Sequence, residues 1–135
     1  MSGKFQEVIE DFMSISDPLE RYELLFEYAE EINLLNKENW SDKTRIQGCQ
    51  SEAHIELNFN QDGKATLKGA ADAMIMQGLI SLTSMAVEGL TALEVLHFDE
   101  KFLSEIGISQ SLTPSRSNGF SNMIQMMRKL AEEQL

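Results

Sequence analysis

A chain of 135 residues has the usual size of one compact domain, long enough for a single core to fold it without staples. Its 22 Asp and Glu residues outnumber 11 Lys and Arg, and the net charge of −11 argues against nucleic acid as a partner. Affinity there comes largely from basic side chains neutralising phosphates. One cysteine, Cys49, excludes an internal disulfide, and with only His54 and His97 beside it a zinc or iron–sulfur site lacks ligands.

The charge itself has two readings: solubility, or a field that steers the chain to a partner with a basic face. No apolar run approaches the roughly 20 residues needed to span a bilayer. The opening MSGKFQEVIEDF acquires acidic residues at once and shows no cleavage site of the secretory kind. We therefore expect one domain over residues 1–135, in the cytoplasm, with no membrane contact.

Phe5, Ile9, Phe12 and Met13 have helical spacing. Asp17-Pro18 predicts the start of a second helix, with the carboxylate as N-cap and proline where its missing N–H costs nothing. Glu20 completes a capping-box pattern. Leu24, Leu25, Tyr28, Ile32 and Leu35 form the apolar stripe of that helix. Residues 36–48 are polar and read as a long loop. Ile55, Leu57 and Phe59 then alternate with His54, Glu56 and Asn58, as in a strand with one wet face. Asp62-Gly63 is a hairpin signal, and Ala65 and Leu67 continue into a second strand. Residues 71–86 return to helical spacing, with Gly89 as a stop. Thr91 and Glu94 predict a capped short helix through Leu96. Phe102, Leu103 and Ile106 suggest a short turn before Gly107. Thr113-Pro114 opens the last helix, with Met123, Met126, Met127 and Leu130 as its apolar positions. The order is α-α-β-β-α-α-α, an α+β domain whose small antiparallel sheet is covered by helices.

Cys49 lies in Gly48-Cys49-Gln50-Ser51, at the end of the polar stretch and just before the strand. A loop cysteine ahead of a rigid strand is held where a partner can reach it. The alternative is a small buried hydrophobe, as most free cysteines are. The polar neighbours Gln50, Ser51 and Glu52 favour the first. Arg116 stands at a helix start, electrostatically the wrong end for a cation. A guanidinium packed near Cys49 would favour thiolate over thiol. His54 has the chemistry of a base for a Cys–His pair, but its place on the strand is at the wrong offset. His97 reads as structural or solvated, and the methionines as core.

Two segments that hold these residues resemble the SufE family of sulfur acceptors. Arg45-Ile46-Gln47-Gly48-Cys49-Gln50-Ser51 is similar to the family's V-x-G-C-x-S signature. Leu112-Thr113-Pro114-Ser115-Arg116-Ser117-Asn118-Gly119 resembles its L-[ST]-P-x-R-x-N-G element. Between them, Gly69-Ala70-Ala71-Asp72-Ala73 followed by Gly78-Leu79-Ile80 resembles the family's G-D-S-D-A…G-L-[IL] helix start. Asp17-Pro18-Leu19-Glu20-Arg21-Tyr22 also fits the family's N-terminal pattern. The resemblance departs at His54, where the family often has tryptophan, and at Ala70-Ala71, which replace an acidic residue and a serine.

The resemblance implies a SufE/IscU-like fold and a carrier role. Cys49 would take a persulfide from a SufS-like cysteine desulfurase, stimulate that enzyme, and pass the sulfur to a SufBCD-like scaffold. Arg116 would stabilise the anionic sulfur. Gly48, Gln50, Ser51, Glu52 and Asp72 would face the partner. The chain would need no cofactor or metal of its own, and would be a monomer or homodimer. Three other readings are a cluster scaffold, which needs more cysteines; a free-standing Cys-dependent hydrolase or peroxidase; and an interaction domain with an inert cysteine.

Overall fold

The computed structural model describes residues 3–49, 51–108 and 112–135. Helix α1 (Gly3–Met13) buries Phe5, Val8, Ile9 and Phe12 on one face. Helix α2 (Pro18–Glu30) begins where Asp17 accepts a hydrogen bond from the Leu19 N–H at 3.0 Å, with Pro18 in its first turn. The cap is one-way rather than the expected box with Glu20. The helix also stops sooner than its apolar stripe suggests. After Glu30 the chain straightens, Leu34 forms a parallel bridge to Gly69, and the Leu35 N–H donates to the Gly69 carbonyl at 3.0 Å. Leu35 is thus buried and Ile32 half-buried beyond the end of the helix, in the segment that meets Gly69, not at helical positions.

Strands β1 (Ala53–Phe59) and β2 (Ala65–Ala71) form an antiparallel hairpin running from Ala53 opposite Ala71 to Phe59 opposite Ala65. The Asp62-Gly63 turn is as predicted: Gly63 has φ +73, and the Asn60 side chain accepts from the Asp62 and Lys64 N–H groups. An isolated hairpin is marginal in water. Here single bridges widen it on both edges, Leu34 against β2 and Arg45 against β1.

Helix α3 (Met74–Val87) is buried nearly all round, as an element at the centre of a domain must be. It starts three residues later than the sequence spacing predicts, because Ala71 still belongs to β2. It packs against α2 and β2. Gly78 allows the approach to α2, since a Cβ there would stand 2.7 Å from the Leu25 carbonyl oxygen. Helix α4 (Ala92–Leu96) carries the predicted capping box, in which Thr91 and Glu94 bond each other's backbone N–H. The turn expected at Phe102 closes into a four-residue helix, α5 (Phe102–Glu105). Helix α6 (Pro114–Glu132) is capped by Thr113, whose hydroxyl accepts from the Arg116 N–H at 3.3 Å. Its inner face buries Phe120, Met123, Ile124 and Met127.

A candidate functional site around Cys49

The loop that carries Cys49 has a firm base. Thr44 to Ile46 run antiparallel to the start of β1, with the Ile55 N–H donating to the Thr44 carbonyl and the Ile46 N–H to the Ala53 carbonyl, both at 2.9 Å. Ile46 is 1% exposed and anchors that base in the core. Gly48 then turns the chain with φ +77, a left-handed conformation that L side chains rarely adopt. Its carbonyl accepts from Asn122 Nδ2 of α6 at 3.3 Å, and a Cβ at Gly48 would run into that amide. Behind the loop, the Asp72 N–H donates to the Glu52 carbonyl at 3.0 Å. The loop is therefore tied to β1, to the end of β2 and to α6.

Cys49 is half-buried. Its sulfur lies against the second turn of α6, where a Cβ on Gly119 would come within 2.9 Å of Sγ. Ser51 Oγ is 3.8 Å from Sγ, a weak hydrogen bond. A pocket of about 310 Å³ opens beside the sulfur. Ala73 and Met76 give it an apolar wall, while Ser51, Thr113, Ser115 and Arg116 give it a polar one. Three segments far apart in the chain thus meet at Cys49: its own loop, the start of α3 and the start of α6. Arg116 is exposed at the rim, and among the described residues it makes no ion pair. Arg116 lines the pocket at a helix N-terminus, so a cationic side chain and the positive end of the helix dipole belong to the same region.

The other expected site residues fall in different places. Gly48 shapes the loop. Asp72 is exposed, and among the described residues its hydrogen bond to the loop is made by its backbone N–H. Gln50 lies outside the described residues. Glu52 is not the freely solvated carboxylate that its neighbours in sequence suggest. It accepts from His54 Nε2 at 3.0 Å and faces Arg45 Nη1 at 3.9 Å. The His54 hydrogen bond, and then the Arg45 charge, hold the Glu52 carboxyl below the usual glutamate range.

His54 departs furthest from the alternation of β1. It is 2% exposed, whereas Glu56 and Asn58 beyond it face outward to increasing degrees. The polar segment before the loop folds over it. Trp40 stacks on the ring at 4.5 Å with planes 19° apart, and Thr44 Oγ1 lies 2.7 Å from Nδ1. Both ring nitrogens are engaged away from Cys49, which leaves none to act as its base. His97 ends α4 and is exposed. Asn122 contributes to the site without any signal in its residue type, and Gly119 is marked in the sequence only as the last residue of the 112–119 segment.

This arrangement has counterparts. The family model described as "SufE: Fe-S metabolism associated domain" matches residues 6–131. The chain belongs to the SufE family. An uncharacterized SufE-like protein of Synechocystis is 35% identical over 92% of this chain and 77% of its own length. SufE-like protein 1, chloroplastic/mitochondrial, of Arabidopsis thaliana is 29% identical over 95% of this chain. The chain spans about a third of that relative, 34% of its length. The solution structure of a hypothetical protein from Thermus thermophilus superposes with a TM-score of 0.78, covering 96% of this chain and 94% of that one, at 20% identity. That likeness shows that the α+β SufE fold is shared.

Family membership places the chain in iron–sulfur metabolism. Among the described residues no helix is long and apolar enough to cross a membrane, and no three His, Cys, Asp or Glu side chains gather as a metal site.

Proposed function

We propose that this SufE-family chain is a sulfur carrier that accepts a persulfide on Cys49 from a SufS-like cysteine desulfurase and delivers it to a SufBCD-like scaffold. The observation that carries the reading is the convergence of a half-buried cysteine, an arginine that makes no ion pair among the described residues and an apolar wall in the lining of one open pocket. The Cys49 thiolate attacks the outer sulfur of the persulfide on the desulfurase cysteine. A new S–S bond forms at Cys49, the old one breaks, and the donor leaves as its own thiolate, so no net oxidation or reduction occurs.

Arg116 offers positive charge to the anionic persulfide so formed. Ser51 supplies a hydroxyl within reach of the sulfur. Ala73 and Met76 keep one side of the pocket dry, which slows loss of the outer sulfur to water or small thiols. Because Cys49 is the only thiol, the persulfide has no second cysteine in the chain to resolve it into a disulfide. Gly48, Ser51, Glu52 and Asp72 are assigned to the face that meets the partner. The pyridoxal phosphate chemistry belongs to the desulfurase; the chain acts as one unit over residues 1–135, in the cytoplasm, as a monomer or homodimer.

Removing sulfur from the desulfurase frees that enzyme for another turnover, so the carrier raises its rate. The test is sulfide release from L-cysteine by a SufS-like desulfurase with wild type or Cys49→Ser. The serine variant should fold as wild type does and give no stimulation. Full stimulation by Cys49→Ser would show that Cys49 carries nothing.

A further inference from the structure

The loop around Cys49 is gripped from both of its stems by one side chain. Thr44 stands on the incoming stem and Glu52 on the outgoing one, and His54 reaches both. A carboxylate only accepts hydrogen bonds, so Nε2 carries the proton shared with Glu52. The ring has little freedom to let go: it is 2% exposed, stacked on Trp40, and fixed in β1 opposite Ala70. Glu52 in turn holds β2 through the bond from the Asp72 N–H to its carbonyl. The His54 bond also keeps the Glu52 carboxyl ionised to lower pH than a free glutamate, which favours the charge-assisted form of the grip.

We propose that His54 is a positioning residue that braces the two stems of the loop and so keeps the Cys49 sulfur in its pocket between acceptance and delivery. The inference rests on the carrier reading for its purpose, but the brace itself is a statement about where Cys49 is held. His54 touches neither the sulfur nor the pocket. It acts through Thr44 and Glu52. With the brace cut, the loop still hangs from the Asn122 bond at Gly48 and from the Asp72 bond at the Glu52 carbonyl, but the Glu52 side chain no longer ties the outgoing stem to the core, and Cys49 between those two points gains freedom to turn its sulfur toward solvent.

Two readouts separate a brace from a residue that only stabilises the fold. The first is the rate at which iodoacetamide alkylates Cys49 in the folded, unloaded protein. The second is the lifetime of a loaded persulfide against cyanide. Cyanide attacks the outer sulfur, the S–S bond breaks, thiocyanate leaves and Cys49 returns to thiolate. In His54→Asn the shorter amide loses Glu52; in His54→Gln the longer amide still reaches it as a donor.

His54→Asn should alkylate roughly fivefold faster and lose its sulfur faster by the same factor, the change expected from one net hydrogen bond. His54→Gln should restore most of both. Glu52→Ala removes the same bond from its exposed end without disturbing the core, and should match His54→Asn. The two changes combined should add little beyond Glu52→Ala alone, because both break the His54–Glu52 bond and only Glu52→Ala also removes the Arg45 pair.

Wild-type rates in folded His54→Asn or in Glu52→Ala would overturn the brace. Should His54→Asn not fold, Glu52→Ala decides the matter alone. If wild type never loads sulfur, the carrier reading fails, while the alkylation rates still decide whether His54 holds the loop.

Discussion

At the scale of single residues, Gly119 sets how near the Cys49 sulfur comes to α6. A Cβ there would meet Sγ at 2.9 Å, closer than real contacts allow, so the sulfur must move. Overpacking costs about 1–3 kcal/mol, and exchanging glycine for alanine inside a helix returns about 1 kcal/mol of it. Gly119→Ala should therefore lower stability only modestly while markedly changing the iodoacetamide rate of native Cys49. An unchanged rate would show that Sγ does not lie against that turn. Arg116 is exposed and makes no ion pair among the described residues, so Arg116→Ala should shift stability by less than about 0.5 kcal/mol. Sulfur acceptance should slow roughly tenfold, about 1.4 kcal/mol of lost charge stabilisation in a half-solvated pocket. Arg116→Lys should recover part of that rate; a melting loss large enough to explain the slowing would assign Arg116 to structure. Cys49 and Arg116 were legible in the sequence because each is an unusual residue for its place, a polar-flanked thiol and a cation at a helix start. Gly119 was legible only as the last residue of the 112–119 resemblance and Asn122 not at all, because their roles exist only once α6 packs on the loop. His54 was misplaced on a wet face because strand alternation cannot foresee Trp40 arriving from another segment to cover it.

At the scale of elements, the helix starts were readable because caps are local chemistry. Asp17-Pro18, Thr91 with Glu94, and Thr113-Pro114 all open helices where proline or a side-chain acceptor fits the first turn. The ends were less legible. Ile32 and Leu35 keep a helical rhythm, yet the Gly69 backbone draws that segment out as an edge, a tertiary effect that spacing cannot show. The α2–α3 contact depends on Gly78, whose added Cβ would strike the Leu25 backbone rather than a flexible side-chain tip. Gly78→Ala should thus destabilise by about 1–3 kcal/mol or more despite its better helix propensity, read by thermal or urea unfolding. A more stable variant would show that the two helices have room to spare. In α4, the bond from the Thr91 N–H lowers the Glu94 pKa below its ordinary value. A carboxyl whose folded pKa is depressed contributes stability above its unfolded value, about 4.3, and loses it as pH falls through the lower folded value. Stability measured for wild type against Glu94→Gln should therefore differ at neutral pH, and the gap should close through that acidic window. A gap that widens toward acid would contradict the assignment.

At the scale of the whole molecule, the net charge of −11 is unevenly spread. Burial first, and then Asp11, Glu31, Glu27 and Glu7, raise the Tyr28 pKa, a sign of negative potential along α1 and α2. Near the loop, Arg45 and Lys37 instead help to lower the Glu52 pKa. A carrier must meet its desulfurase repeatedly and release it each time, and complementary potentials speed such encounters. Salt shortens their range from about 10 Å at 0.1 M to about 3 Å at 1 M. Stopped-flow association with the desulfurase should slow as salt rises; a rate flat in salt would leave the charge to solubility, with docking resting on shape and apolar contact around Cys49. The most direct test of the carrier role is to incubate the protein with a SufS-like desulfurase and L-cysteine, then weigh it intact and map the modified peptide. Wild type should gain one sulfur atom on Cys49, removable by a reducing thiol, and Cys49→Ser should gain none. An unmodified Cys49 beside an active desulfurase would contradict the carrier role.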